Sequence, residues 1–392
     1  MPASHPGFRI FVLGAGFSMP AGLPLAKDLF SEVRNRIEQQ HGKDTKFQRD
    51  LENYTKYRNT CDGTALQQEA IDLEEFMSYL DIEHFLALRG SDTWSQEGNE
   101  SQLMIRKAIG EVIHNQTPPV DRLPDFYYRF AEALSTRDTV LTFNYDVLLE
   151  RALEYVGKPY RLFPHRFESV GRSLNTVDSD VEEVTLLKLH GSVDWFNDRQ
   201  YLETKAALEE QGTTRLPIHS VFDNPDRYGL LPIVDGPRTP DDPLLHIHRI
   251  RNVDAYYTSD NGFNAPFILS PSHVKFVYSE PLLSFWNGMG RAGGYNLGIS
   301  IVGFSLPKHD EYIRIGLYQM ISNYQRSWWN EKMFGTTLKD YVRLVDYRPD
   351  ENGVAELKSR YNFVDPAKTD YFLAGFGNEA IEFLFSQQRV GG

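Results

Sequence analysis

The sequence predicts an α/β protein built on a parallel β-sheet with helices on both faces. Short apolar, β-branched segments recur along the chain, and most are followed by a polar or glycine-containing loop and then by helical spacing of apolar residues. Strands that alternate with helices form parallel sheets, because each helix carries the chain back to the edge at which the next strand starts. A chain of 392 residues can form one large domain of this class with insertions.

The elements are expected in a regular order. Buried strands are predicted at residues 8–14, 138–143, 184–189, 296–302 and, as the last strand, 341–346, with a short strand at 266–269. Helices are predicted at residues 24–40, 126–136, from about 147, near 279–291, at 309–324 and at 376–386. Residues 41–125 are expected to be a helical insertion and residues 196–265 a second insertion. Segments 1–40, 126–195 and 266–392 then form one Rossmann-like nucleotide-binding domain.

Bulk composition limits the kinds of function that we expect. The formal net charge is −13, and an acidic surface repels the phosphate backbone of nucleic acids. Cys61 is the only cysteine, so neither an internal disulfide nor a cysteine-rich zinc site can form. The chain shows no export signal and no run of about twenty apolar residues. We therefore expect a cytoplasmic protein without bound metal that neither spans a membrane nor binds nucleic acid broadly.

Two glycine-containing loops, each after a predicted strand, are candidates for binding phosphate. They are residues 14–18 (GAGFS) and 303–307 (GFSLP). Glycine lets the backbone approach a phosphate, and a helix that starts after the loop offers free N–H groups. Taken singly, each loop is also compatible with an ordinary strand-to-helix turn. The candidate residues in these loops are Gly14, Ala15, Gly16, Ser18, Gly303 and Ser305.

Two further loops place amide, carboxyl and imidazole groups at strand ends. Residues 142–146 (TFNYD) contain Asn144 and Asp146, and residues 188–192 (KLHGS) contain His190. An asparagine donates and accepts hydrogen bonds without charge, which suits a ribose hydroxyl or a water beside a developing cation. A histidine can act as a general base near neutral pH. Equally, Asn144 and Asp146 could cap a turn and the next helix, and His190 could be structural.

The ordered set of four loops is more informative than any one of them. With GAGFS, TFNYD, KLHGS and GFSLP in this order, the chain resembles the sirtuin family, specifically the bacterial SIR2-like branch used in antiviral defence. The resemblance covers residues 8–36, 126–195 and 266–350, roughly half of the chain. It implies a Rossmann-like sheet of the sirtuin or DHS-like NAD-binding type, in which the loops form one pocket for NAD⁺ as substrate.

The resemblance also implies a role for each candidate residue at the nicotinamide end of that pocket. Ser18 and Asp146 would contact the nicotinamide carboxamide. Asn144 would position the water or the ribose, and His190 would act as the base near the ribose hydroxyls.

Other residues are implied to hold the rest of the dinucleotide. The loop of Gly14, Ala15 and Gly16 would line the diphosphate. Ser305, with the backbone after Gly303, would hold phosphate or the adenosine ribose. Asp346 follows the last predicted strand and would lie near the adenosine end.

Two departures from the family pattern concern the reaction. Sirtuin deacetylases usually carry a four-cysteine zinc module, which a chain with Cys61 alone cannot build. The Asp-Phe-Arg run that usually follows the first Gly-Pro region is absent, and Leu25-Ala26-Lys27 stands in its place. The resemblance therefore implies NAD⁺ hydrolysis rather than protein deacylation.

The implied function is an NAD⁺ glycohydrolase that depletes NAD⁺ in abortive-infection defence against phage. Because uncontrolled loss of NAD⁺ would kill the host, we expect a partner or an assembly state to gate the activity. The size and layout resemble the SIR2 subunit that works with a HerA-type ATPase, and the aromatic residues and insertions could supply homo-oligomer interfaces. Two alternatives remain open: a non-catalytic module that binds NAD⁺ or ADP-ribose, and a protein deacylase.

Overall fold

The computed structural model contains a seven-stranded sheet whose strands all run parallel. It describes residues 7–63, 65–67, 70–90, 95, 97–212, 220–258, 264–307, 310–333 and 336–386. The strands of this sheet are β1 (Arg9–Leu13), β2 (Thr139–Thr142), β3 (Tyr160–Arg161), β4 (Val184–Lys188), β5 (Gly298–Val302), β6 (Val342–Val345) and β7 (Thr369–Phe372). Their spatial order is β7-β6-β5-β1-β2-β4-β3. The predicted α/β, Rossmann-like class is confirmed.

The order of the strands creates a crevice at one edge of the sheet. From β1 the chain builds β2, β3 and β4 on one side, and it then returns to place β5, β6 and β7 on the other. Leu13 at the end of β1 lies in register between Val302 of β5 and Thr142 of β2. In open α/β sheets, ligands bind outside the carboxyl ends of the strands at this point of reversal.

Helices lie in most of the connections between these strands. They are α1 (Ala15–Ser18), α2 (Ala26–His41), α3 (Lys46–Asp62), α4 (Leu73–Phe85), α5 (Glu100–Gln116), α6 (Asp125–Ala133), α7 (Leu148–Tyr155), α8 (Arg199–Glu210), α9 (Pro225–Tyr228), α10 (Val253–Tyr257), α11 (Leu283–Trp286), α12 (Met289–Ala292), α13 (Glu311–Arg326), α14 (Glu351–Arg360) and α15 (Asn378–Phe385). Helices cover both faces of the sheet, so every residue of β1, β4, β5 and β6 is buried. Within the described segments, none of the helices has the length and apolar character needed to cross a membrane.

The stretch predicted as a helical insertion contains α3, α4 and α5. Each of these helices starts at a side chain that accepts a backbone N–H, namely Thr45, Asp72 and Asn99. Asn99 also forms a reciprocal capping box with Gln102. These helices pack on one another, and α4 and α5 also pack on α2.

The stretch from 196 to 265 includes a small antiparallel sheet. Its central strand, Ile247–Ile250, pairs with Trp195–Asn197 on one side and with Leu230–Pro232 on the other. Two histidines approach the carboxylate of Asp198. His246 Nδ1 lies 2.7 Å from Oδ1 of Asp198, and His248 Nδ1 lies 3.7 Å from Oδ2. Short strands separated by Pro- and Gly-rich turns give little periodicity, which is why the sequence did not predict this sheet.

Three predictions about elements are wrong. Residues 266–269 form no strand, only a single bridge between Ile268 and Gly191. The single helix expected near 279–291 is instead divided into short helices, α11 and α12, on either side of Gly288, whose φ of 76° lies in the left-handed region. The last strand is β7, which follows the predicted final strand β6. It is a short, partly exposed strand at the sheet edge, so its signal in the sequence is weak.

Candidate active site

A cavity of about 760 Å³ opens at the carboxyl edge of the parallel sheet. Such a volume is typical of sites that bind small molecules. All of the site residues predicted from the sequence line it, namely Gly14, Ala15, Gly16, Ser18, Asn144, Asp146, His190, Gly303, Ser305 and Asp346. The structure therefore brings the four loops and the end of β6 into one cavity.

The two glycine loops pack directly against each other beneath the cavity. The Gly14 N–H donates to the Val302 carbonyl at 3.0 Å, and the Gly16 N–H donates to the Gly303 carbonyl at 2.8 Å. Gly303 has a φ of +61°, and a Cβ there would stand 2.3 Å from the Gly16 carbonyl carbon. Glycine is required at residue 303 for both its left-handed conformation and this close approach.

The side-chain amide of Asn144 is held in one orientation. Its Nδ2 donates to the Gly14 carbonyl at 2.9 Å and to Ser18 Oγ at 3.0 Å. Ser18 Oγ in turn donates to Asp146 Oδ2 at 2.8 Å. Because both amide protons are used in this way, the atom of Asn144 left for a ligand is its carbonyl oxygen, an uncharged acceptor.

A buried lysine supports the loop that carries Asn144. Lys188, at the end of β4, is fully buried and donates to the Asp146 backbone carbonyl and, at 2.7 Å, to Glu150 Oε1. Burial raises the pKa of Asp146, and the Lys188 charge acts in the opposite direction. Asp146 Oδ1 also accepts the Leu148 N–H at 3.0 Å, so this carboxylate binds both the first residue of α7 and Ser18. Lys188 lies in a predicted motif, but its supporting role was not predicted.

His190 is a buried, neutral imidazole. Burial and the nearby charge of Lys275 lower its pKa well below the usual 6.5, opposed by a hydrogen bond to the Phe143 backbone. Its Nε2 lies 2.7 Å from the Tyr312 hydroxyl. A neutral imidazole nitrogen accepts this hydrogen bond, and burial raises the pKa of Tyr312, so the phenol stays protonated as the donor. No motif pointed to Tyr312, which follows the fourth loop by several residues.

Further charged residues at the cavity come from outside the four loops. Lys275 and Asp310 are both buried and form an ion pair at 2.7 Å. Glu74 reaches the cavity from the first turn of α4. Asp310 directly precedes α13, but its side chain does not cap that helix.

The opposite end of the cavity holds two arginines that were not predicted. Asp346 Oδ2 lies 3.0 Å from Arg348 Nη2, and Asp346 Oδ1 accepts the Tyr347 N–H at 2.8 Å. Arg360, the last residue of α14, donates from Nη1 to the Ser305 carbonyl at 3.1 Å. Burial raises the pKa of Asp346, and Arg348 opposes that shift. Arg348 stands two residues after a predicted position, whereas nothing in the sequence near Arg360 marks it.

Comparison with protein families gives one match. Residues 138–221 match the model of the SIR2-like domain. This segment spans β2, β3 and β4 and includes Asn144, Asp146 and His190. No curated protein matches the chain.

Among solved structures, the chain is similar to several Sir2 proteins. It is 12% identical to Sir2Tm bound to a propionylated peptide, with a TM-score of 0.35 and coverage of 96% of this chain and 90% of that one. For a structure of Sir2 with p53 peptide and NAD⁺, the identity is 11%, the TM-score 0.31 and the coverage 96% and 90%. Such low identities and scores transfer no residue role. A SIR2-like segment within a Rossmann-like α/β fold is therefore what the comparisons and the architecture together establish for this chain.

Proposed function

We propose that this protein is an NAD⁺ glycohydrolase that breaks the bond between nicotinamide and ribose. The observation that carries the proposal is the pairing, in one cavity, of a fixed amide oxygen on Asn144 with the neutral imidazole of His190. The SIR2-like match over residues 138–221 supports the same choice of substrate.

The cavity suits a long ligand with two different ends. At one end lie Asn144, Asp146 and His190, which we assign to the nicotinamide ribose. At the other lie Ser305 and Asp346, which we assign to adenosine. Between them the backbone of the first glycine loop would line the diphosphate, because its close packing on Gly303 leaves no side chain in the way.

The chemistry needs an electron-rich site more than an acid. As the C1′–N bond breaks, positive charge develops on the ribose, and nicotinamide leaves as a neutral molecule. The amide oxygen of Asn144 and the carboxylate of Asp146 are placed to stabilise that charge. Water then adds its oxygen to C1′, and the products are nicotinamide, ADP-ribose and one proton.

His190 would receive the proton from water or from a ribose hydroxyl. Its neutral state leaves Nε2 as an acceptor, and a bound ligand would compete with the Tyr312 hydroxyl for that nitrogen. Desolvation keeps the imidazole uncharged before the reaction, so it does not repel the positively charged nicotinamide ring.

We further propose that the enzyme acts in the cytoplasm in abortive-infection defence and is gated by assembly or by a HerA-type ATPase. An exposed apolar cluster at the end of α4 supports association, because Phe85, Leu86 and Leu88 are each more than half exposed. We retain 1–40, 126–195 and 266–392 as the NAD⁺-binding domain, with 41–125 and 196–265 as insertions. The first insertion contributes Glu74 and Ile113 to the cavity lining.

The direct test is nicotinamide release, measured by liquid chromatography with purified chain alone and with the candidate ATPase. Release that requires Asn144 and His190 would support the enzyme. Absence of release under every condition, with ADP-ribose still bound, would instead favour the non-catalytic binding module. Turnover of an acyl-lysine peptide would favour the deacylase.

A further inference from the structure

We propose that the adenosine end of the cavity accepts a phosphate on the adenosine ribose, so that the site takes NADP⁺ as well as NAD⁺. This inference rests on the proposed dinucleotide site and deepens it by naming the substrate class. It is carried by three charged residues at that end, which are Asp346, Arg348 and Arg360.

Asp346 is the acidic residue among these three. An acidic residue near the adenosine ribose favours NAD⁺, because it accepts the 2′-hydroxyl and repels a 2′-phosphate. Here that repulsion is offset within the site, since Arg348 Nη2 lies 3.0 Å from Asp346 Oδ2. The other carboxylate oxygen already accepts the Tyr347 N–H. Asp346 therefore does not present an unpaired negative charge to the ligand.

Arg360 is held in place by two neighbouring groups. Its Nη1 is anchored on the Ser305 carbonyl at 3.1 Å, and its Nη2 contacts Glu356 at 2.5 Å. Glu356 is about half exposed and does not line the cavity, so water screens most of its effect. The side chains of Arg348 and Arg360 keep about a fifth of their surface accessible. Among the residues that line this end of the cavity, two guanidinium groups therefore stand against one carboxylate.

The two ends of the cavity differ in the charges of their lining residues. The nicotinamide end carries Glu74, Asp146 and Asp310 against one lining cation, Lys275. The excess of positive charge at the cavity lies at the adenosine end. Arginine presents a planar set of hydrogen-bond donors that matches phosphate oxygens. A cavity end with two arginines therefore favours an anionic group over a neutral hydroxyl.

The test measures binding rather than turnover, so that it does not depend on activation. Titration calorimetry would compare ADP-ribose with 2′-phospho-ADP-ribose on the full chain. We expect the wild-type protein to bind the two within about tenfold of each other. Arg348→Ala combined with Arg360→Ala should weaken 2′-phospho-ADP-ribose by about 10- to 100-fold more than ADP-ribose. Asp346→Asn should shift the ratio towards the phosphorylated ligand.

Controls separate charge recognition from folding. Arg172→Ala removes an exposed arginine that does not line the cavity, and it should change neither affinity. If the double alanine variant fails to fold, Arg348→Lys combined with Arg360→Lys keeps the positive charges but removes the planar guanidinium groups. This variant should still weaken 2′-phospho-ADP-ribose more than ADP-ribose. An unchanged affinity ratio in a folded variant overturns this inference alone. Failure of the wild-type chain to bind either ligand overturns the proposed function and this inference together.

Discussion

Replacement of Asn144 by alanine is the most direct test of the site. The substitution removes the amide oxygen offered to the ligand and the two hydrogen bonds from Nδ2 to Gly14 and Ser18, at 2.9 and 3.0 Å. Each such hydrogen bond contributes about 0.5–1.5 kcal/mol, so the variant should lose roughly 1–3 kcal/mol of folding stability and remain folded. Loss of one fixed dipole next to a developing charge typically lowers kcat by about 10²- to 10³-fold.

The assay for this variant is nicotinamide release, with ADP-ribose affinity as a second readout. We expect release to fall to background while ADP-ribose affinity and assembly stay close to wild type. Asn296→Ala is a matched control, because Asn296 Nδ2 also donates to a backbone carbonyl, that of Ala292 at 2.7 Å, but lies outside the cavity lining. Wild-type turnover in Asn144→Ala would refute the assignment of the reaction to this amide.

Three other substitutions test His190 and the residues that support the site. His190→Ala should abolish nicotinamide release while the fold is retained. Because the pKa of His190 lies well below 6.5, protonation of His190 should cause no loss of wild-type kcat between pH 8 and 6.5. A fall in kcat within that pH range would contradict a neutral base. Because the pKa of His190 is lower in the folded chain, the unfolded chain binds a proton on His190 at higher pH than the folded chain does. This group should therefore reduce folding stability as pH falls below 6.5, and His190→Ala should lose less stability over the same pH range. Gly303→Ala should lower the melting temperature strongly and abolish ADP-ribose binding, since its Cβ would stand 2.3 Å from Gly16; an unchanged melting temperature would contradict the close loop packing. Lys188→Met should cost about 3–5 kcal/mol in denaturant unfolding by leaving Glu150 buried and unpaired, and adding Glu150→Gln should recover part of that loss; no recovery would show that the pair is not the cause.

Much of the fold could be predicted because the central strands carry strong local signals. β1, β4 and β5 are mostly apolar and buried on both faces, and an apolar segment of that kind is visible without knowledge of its partners. The edge strands β3 and β7 were missed for the opposite reason. They are short and partly exposed, and their pairing with β4 and β6 comes from tertiary contacts rather than from composition.

The candidate site shows the same division. The glycine loops and the Asn144 and His190 loops follow strands directly, and parallel strands present their carboxyl ends at one edge, so their convergence could be predicted from the chain alone. Tyr312, Lys275 and Arg360 could not be predicted. Lys275 and Arg360 reach the cavity, and Tyr312 reaches His190, each from a separate helix or turn. Only the packing of that element against the sheet decides where its side chain lies.

The amino-acid sequence by itself determined the class of fold, the four loops and the candidate reacting groups. Each of these depends on residues that are neighbours along the chain, which local patterns record. The tertiary structure alone decided the direction of the Asn144 amide, the lowered pKa of His190 and the balance of charges at the end of the cavity that holds Asp346. Those properties arise from distances and burial between residues far apart in sequence, such as Asn144 with Gly14 and Arg360 with Ser305.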